Sequence, residues 1–193
     1  MRRTLVPAAV VALAAAIAVP ATAHTAAARA RHDTTAVAPA LDDATIVAIF
    51  DAANTADIET GKLAAKRGST KAVRDLGAMF ARDHEAVRQQ GRDLAKKLGV
   101  TPTPPKDDTS AAEQAKVMAT LRAKHGADFD KAYLEHEVAF HKAVIDAVTK
   151  TLLPAIKNQE LKDLVTKVAP AFQAHMLAAQ HLEEQLAEAQ GAK

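Results

Sequence analysis

Three histidines, His84, His141 and His175, stand near the middle of three different helical segments. Two of them travel with an acid: Asp83 precedes His84, and Glu137 stands one turn before His141. Imidazole nitrogens with nearby carboxylates are a ligand set for zinc or a transition metal. Rotated at 100° per residue, His175 falls near the centre of its segment's apolar stripe and His141 falls within its own. Asp83 and His84 straddle theirs. All three rings sit at mid-helix, so packed helices would bring them to one level. Asp57 or Glu59 could add a carboxylate from the first segment. Glu59 is closer to its turn than His84 is, by about 10 Å at 1.5 Å per residue, which puts it toward another layer. The competing reading is structural: inward His–acid pairs can be a polar network that fixes helix register. The distance among the ring nitrogens separates the two. About 3–4 Å suits ligands bonded at roughly 2.0–2.1 Å to one ion. His136 and His181 fall well outside their stripes and are expected to face solvent, while His125 belongs to a loop.

Other chemistries find no residues to carry them. Without cysteine there is no thiolate site, disulfide or thiol nucleophile. Ser69 and Ser110, the only serines, stand where helix caps belong, and no phosphate loop or G-x-S-x-G elbow occurs. A coupled di-iron centre built on Glu-x-x-His is also unsupported, because Ala81 and Phe172 occupy the positions three before His84 and His175. No catalytic residue and no organic cofactor site is assigned. The expected occupant is one zinc or transition-metal ion, held by His84, His141 and His175, with Asp83, Glu137 and Glu59 as auxiliary groups.

The elements that must position these side chains are helices. Aromatics make up 3% of the chain and glycine is sparse, which argues against a sandwich or barrel. Apolar residues recur at helical spacing over 42–67, 70–98, 128–152 and 159–189, and a shorter segment over 110–124 follows a Pro-rich linker at 99–109. Gly68, Gly99 and Gly126 punctuate the ends. Pro170 lies inside the last segment, where its ring crowds the Thr166 carbonyl and predicts a kink. Short first and last turns with a long middle connection predict an all-α, ferritin-like four-helix bundle. Its long crossover contains the short extra helix, and the third long helix runs parallel to the second.

The amino terminus reads as an address. Arg2-Arg3 precede an apolar run from Leu5 to Val19, then Pro20 and Ala21-Thr22-Ala23, the pattern of a cleaved signal peptide over 1–23. Residues 24–41 read as a flexible linker and 42–190 as the bundle. The net charge of +2 is the excess contributed by Arg2 and Arg3. Once they are removed, no basic stripe with interleaved aromatics remains, so nucleic acid is not an expected partner. The mature chain is expected to lack a transmembrane span and to work outside the cytoplasm, in the periplasm, on the envelope or secreted, with an envelope partner allowed and no oligomeric state implied.

A resemblance rests on four stretches. They are Ala53-Asn54-x-x-Asp57-Ile58-Glu59-x-Gly61-x-Leu63-Ala64, Met79-Phe80-x-x-Asp83-His84, Phe129-Asp130-x-x-Tyr133-x4-Val138-x-x-His141, and Pro170-x4-His175. With them, residues 42–188 resemble the bacterial domain of unknown function family 4142, exported proteins placed with the ferritin-like superfamily. The resemblance implies that fold and an exported location, and supplies no activity. Two functions stay open. One is metal handling or envelope stress protection at a mid-bundle ion; the other is a non-enzymatic envelope protein whose His–acid network holds no metal.

Overall fold

The computed structural model describes residues 41–191, which form five helices and no strands. The expected signal peptide and nearly all of the expected linker lie outside them. Helix α1 (Asp43–Arg67) starts where the Asp42 carboxylate accepts the Thr45 N–H at 2.8 Å. Helix α2 (Lys71–Leu98) starts where the Thr70 hydroxyl accepts the Val73 N–H at 3.2 Å. Each cap satisfies an N–H that has no partner within its own helix. Gly99 closes α2 in the left-handed conformation, φ 67°, which a residue with a Cβ resists. Helix α3 (Ser110–Arg122) is short, and α4 (Gly126–Ala147) begins at Gly126 rather than at Asp128.

The end of α4 departs from the expectation of regular helix to Leu152. Val148–Leu152 winds as a wider π turn, and Leu153–Ala155 adds one more helical turn. Pro154 has no N–H to offer Lys150 and its ring crowds that carbonyl, so a regular turn is unfavourable there. The last helix, α5 (Gln159–Gly191), continues through Pro170. No described helix is long and apolar enough to cross a membrane.

Polar clasps at the two ends fix the helix directions. At one end the Asp130 carboxylate of α4 accepts from Ser69 N–H (2.8 Å), Ser69 hydroxyl (2.6 Å) and Thr70 N–H (3.1 Å). The Arg67 guanidinium there donates to the carbonyls of Arg122 (2.8 Å) and Lys124 (2.7 Å). At the other end the Asp43 carboxylate accepts the N–H groups of Lys157 and Asn158, both at 2.9 Å, and Lys97 pairs with Glu160. Thus α2 and α4 start at the same end and run parallel, while α1 and α5 run the opposite way.

Helices α1 and α2 approach to backbone contact. A Cβ added at Gly77 would lie 2.7 Å from both the Gly61 carbonyl oxygen and the Ala64 Cβ, so glycine is what permits this spacing.

The apolar core is divided in two. Ile46, Phe50, Leu152, Leu161, Val165 and Phe172 pack at one end, and Val73, Phe80, Phe129, Tyr133, Leu134 and Ala179 at the other. Burying a large apolar side chain contributes about 1.5–3 kcal/mol. Between these clusters along the chain fall Asn54, Asp57, Thr60, His84, Glu137, His141 and His175, all buried. A layer of polar groups therefore sits at mid-height, where those apolar contributions are forgone.

Candidate metal centre

One ring nitrogen from each of His84, His141 and His175 lies within 4.8 Å of the other two. The ring centroids are 5.1–5.6 Å apart. His84 and His141 are at most 1% exposed, and His175 is 7% exposed. Three helices, α2, α4 and α5, therefore each deliver an imidazole to one buried point.

The hydrogen bonds around the rings decide which nitrogens are free. Asn54 donates its Nδ2 to the Phe50 carbonyl at 2.8 Å, which leaves its Oδ1 to face His84 Nδ1 at 2.9 Å as an acceptor. His84 therefore carries its proton on Nδ1. The His141 Nδ1 lies 2.9 Å from the Glu137 backbone carbonyl, which can only accept. The His175 Nε2 lies 3.2 Å from Asp83 Oδ2, a carboxylate oxygen. With a proton on each of these nitrogens, the lone pairs fall on His84 Nε2, His141 Nε2 and His175 Nδ1. His84 Nε2 and His175 Nδ1 face each other at 3.1 Å, and His141 Nε2 is buried with no hydrogen-bonding partner among the described residues. Two facing lone pairs repel unless a proton or a cation stands between them. Outer partners that fix the tautomer and aim the free nitrogen are the usual setting of a metal-binding histidine.

Electrostatics favour the neutral rings that a metal requires. Burial, followed by the neighbouring His141 and His175, pushes His84 down to about 2. Burial pushes His141 down to about 3, against the opposing pull of the Glu137 carbonyl. His175 is also lowered by burial, with Asp83 acting the other way. Phe80 stacks on His175 at 4.4 Å between centroids, and Phe172 lies 5.4 Å from His84, so apolar faces flank the rings.

The remaining candidates separate. Glu137 is fully buried beside His141 (Nδ1 to Oε2, 3.5 Å). Asp83 is half-exposed at the rim, held by Arg82 at 2.8 Å as well as by His175. Glu59 does not join the cluster: it is exposed and accepts from Gln114 at 3.0 Å. Two residues turn a helix by about 200°, so with Asp57 pointing inward, Glu59 points out. Asp57 is 2% exposed and lies 3.5 Å from His84 Nδ1. His136, expected in solvent, is half-buried against Phe140 (5.7 Å between ring centroids), whereas His181 is exposed. Asn54, Thr60 and the Tyr133 hydroxyl were not singled out by residue type. Asn54 could have been, because it stands three residues before Asp57 and shares its side of the helix.

Residues 19–182 match a family model described as a domain of unknown function, DUF4142. The chain belongs to this family. No curated protein and no solved structure matches it. Membership in DUF4142 supplies no activity, so chemistry has to be argued from the histidines themselves.

Proposed function

We propose that the protein binds one zinc or transition-metal ion through His84 Nε2, His141 Nε2 and His175 Nδ1. Asp83 and Glu137 serve as outer groups that orient rings and balance charge. The observation that carries this reading is that one nitrogen from each of the three rings lies within 4.8 Å of the other two, while each ring has a nitrogen committed to an acceptor. Three neutral nitrogens suit zinc, copper, nickel or ferrous iron better than magnesium or calcium. When bound, the ion would supply Lewis acidity or redox capacity. The chain's own residues hold it, exclude water with Phe80 and Phe172, and keep Asp83 at the solvent side.

The helix directions described above support a ferritin-like four-helix bundle of α1, α2, α4 and α5, with the 99–125 connection as the crossover. The Arg2-Arg3, Leu5–Val19 and Ala21-Thr22-Ala23 pattern supports export. Together these favour metal handling or stress protection in the cell envelope. A metal-free structural network is the second reading, favoured by the 3.1 Å His84–His175 separation, which one shared proton would also satisfy. Metal content of the purified mature protein, measured by mass spectrometry beside His141→Ala, tests the choice. About one ion per chain, lost in the variant, supports binding. Sub-stoichiometric metal unchanged by the substitution would sink it.

A further inference from the structure

Behind the histidines lies a second cluster that the nitrogen triad does not use. Asp57 (2% exposed), Glu137, Tyr133 and Thr60 (each 0%) bring two carboxyls and two hydroxyls together between α1 and α4. Asp57 Oδ1, both Glu137 carboxyl oxygens and the Tyr133 hydroxyl are buried without a hydrogen-bonding partner among the described residues.

No basic side chain neutralises the pair. Among the described residues no lysine or arginine is buried. The two nearest ring nitrogens, His84 Nδ1 and His141 Nδ1, are each 3.5 Å away, and both have given their protons to other acceptors. An uncompensated buried carboxylate is strongly unfavourable, and two of them more so. A divalent cation would satisfy both at once, because its charge matches theirs and its coordination uses their free oxygens.

We propose that Asp57 and Glu137 form a second cation subsite, with Thr60 and Tyr133 at its edge, which takes an oxygen-preferring divalent ion of the Mn2+ class. Ligating atoms of Asp57, Glu137 and His141 lie within 4.8 Å of one another. A neutral imidazole has one lone pair, so His141 cannot serve both ions. With that nitrogen in the triad, the second subsite is built of oxygens, the donor set that suits Mn2+, Mg2+ or Ca2+ rather than zinc. The centre then holds two different ions side by side; the second subsite goes beyond the function proposed above, and its oxygen-only donor set rests on that reading of His141.

The test titrates the metal-free mature protein at pH 8 with one equivalent of Zn2+ and then with Mn2+. Free Mn2+ is followed by its electron paramagnetic resonance signal, and bound zinc by mass spectrometry. The expected result is one Mn2+ per chain beside one Zn2+. Asp57→Asn should weaken Mn2+ at least tenfold while zinc stays, and Glu137→Gln should also weaken Mn2+ at least tenfold. His175→Ala should release zinc and keep Mn2+. Failure of wild-type protein to take up Mn2+, or a Mn2+ affinity unchanged from wild type in both carboxyl variants, overturns the proposal. Zinc bound without Mn2+ refutes this subsite alone, and Mn2+ bound without zinc refutes the histidine site alone. If Glu137→Gln does not fold, Asp57→Asn and the wild-type stoichiometry still decide.

Discussion

Glu137→Gln in metal-free protein should stabilise the fold at pH 8 and lose that advantage in acid. The Glu137 carboxyl rises from an ordinary 4.5 to about 7 because burial disfavours its charge. A folded-state pKa above the unfolded value means that the folded chain holds the proton more tightly. The cost of ionising it is fully present above pH 7 and disappears as pH falls to 4.5. A carboxyl moved from 4.5 to about 7 corresponds to a cost of about 3 kcal/mol, at roughly 1.4 kcal/mol for each tenfold change in proton affinity. Glutamine keeps the shape and removes the ionisation. The stability difference between variant and wild type should therefore swing by about 3 kcal/mol between pH 4.5 and pH 8, in favour of the variant at high pH. Urea denaturation followed by far-UV circular dichroism, with chelator present, measures it at each pH, and similar m-values would show that the unfolded states match. The reasoning fails if the difference is independent of pH. It fails more sharply if Glu137→Gln destabilises at pH 8, because that is the signature of a carboxylate paired with a charged His141.

Other perturbations probe the frame and the site. Asp130→Ala removes a buried acceptor from three donors at the α1–α2 turn; a loss of about 3 kcal/mol is expected in urea denaturation, since hydrogen bonds to charged groups contribute roughly 1.5–3 kcal/mol each and do not add fully. Gly77→Ala forces a Cβ to 2.7 Å from the Ala64 Cβ, and the overpacking cost of about 1–3 kcal/mol should outweigh the roughly 1 kcal/mol gained in helix propensity, lowering the melting temperature. For pH dependence, His84 near 2 and His141 near 3 are already neutral at pH 5. Zinc occupancy, read by mass spectrometry after equilibrium dialysis, should accordingly show no loss from protonation of these two rings between pH 7 and pH 5. Mn2+ affinity should drop at least roughly tenfold per unit below pH 7 as Glu137, and Asp57 beside it, take up protons.

The sequence carried the histidines because a helix is regular. A rotation of 100° per residue suffices to place His84, His141 and His175 on inward faces, and counting from the turns brings them to one height. The same rule applied from Asp57 would have turned Glu59 outward. Tyr133 and Thr60 do not stand out in the sequence, since a helical pattern registers the body of a side chain and not where its hydroxyl ends. Asn54 escaped because its importance lies in a bond to a residue thirty positions away. The π turn after Ala147 was invisible for a similar reason: Pro154 announces an interruption, but whether the chain breaks or widens is settled by packing. Asp130 reads locally as a first-turn acid, and only the fold shows it capping a different helix.

X-ray absorption at the zinc edge, on mature protein loaded with one equivalent of Zn2+, tests the central claim most directly. Three imidazole nitrogens at about 2.0–2.1 Å, reduced in number by His141→Ala, is the result this account requires. A first shell of water oxygens that the His141→Ala variant reproduces would contradict it.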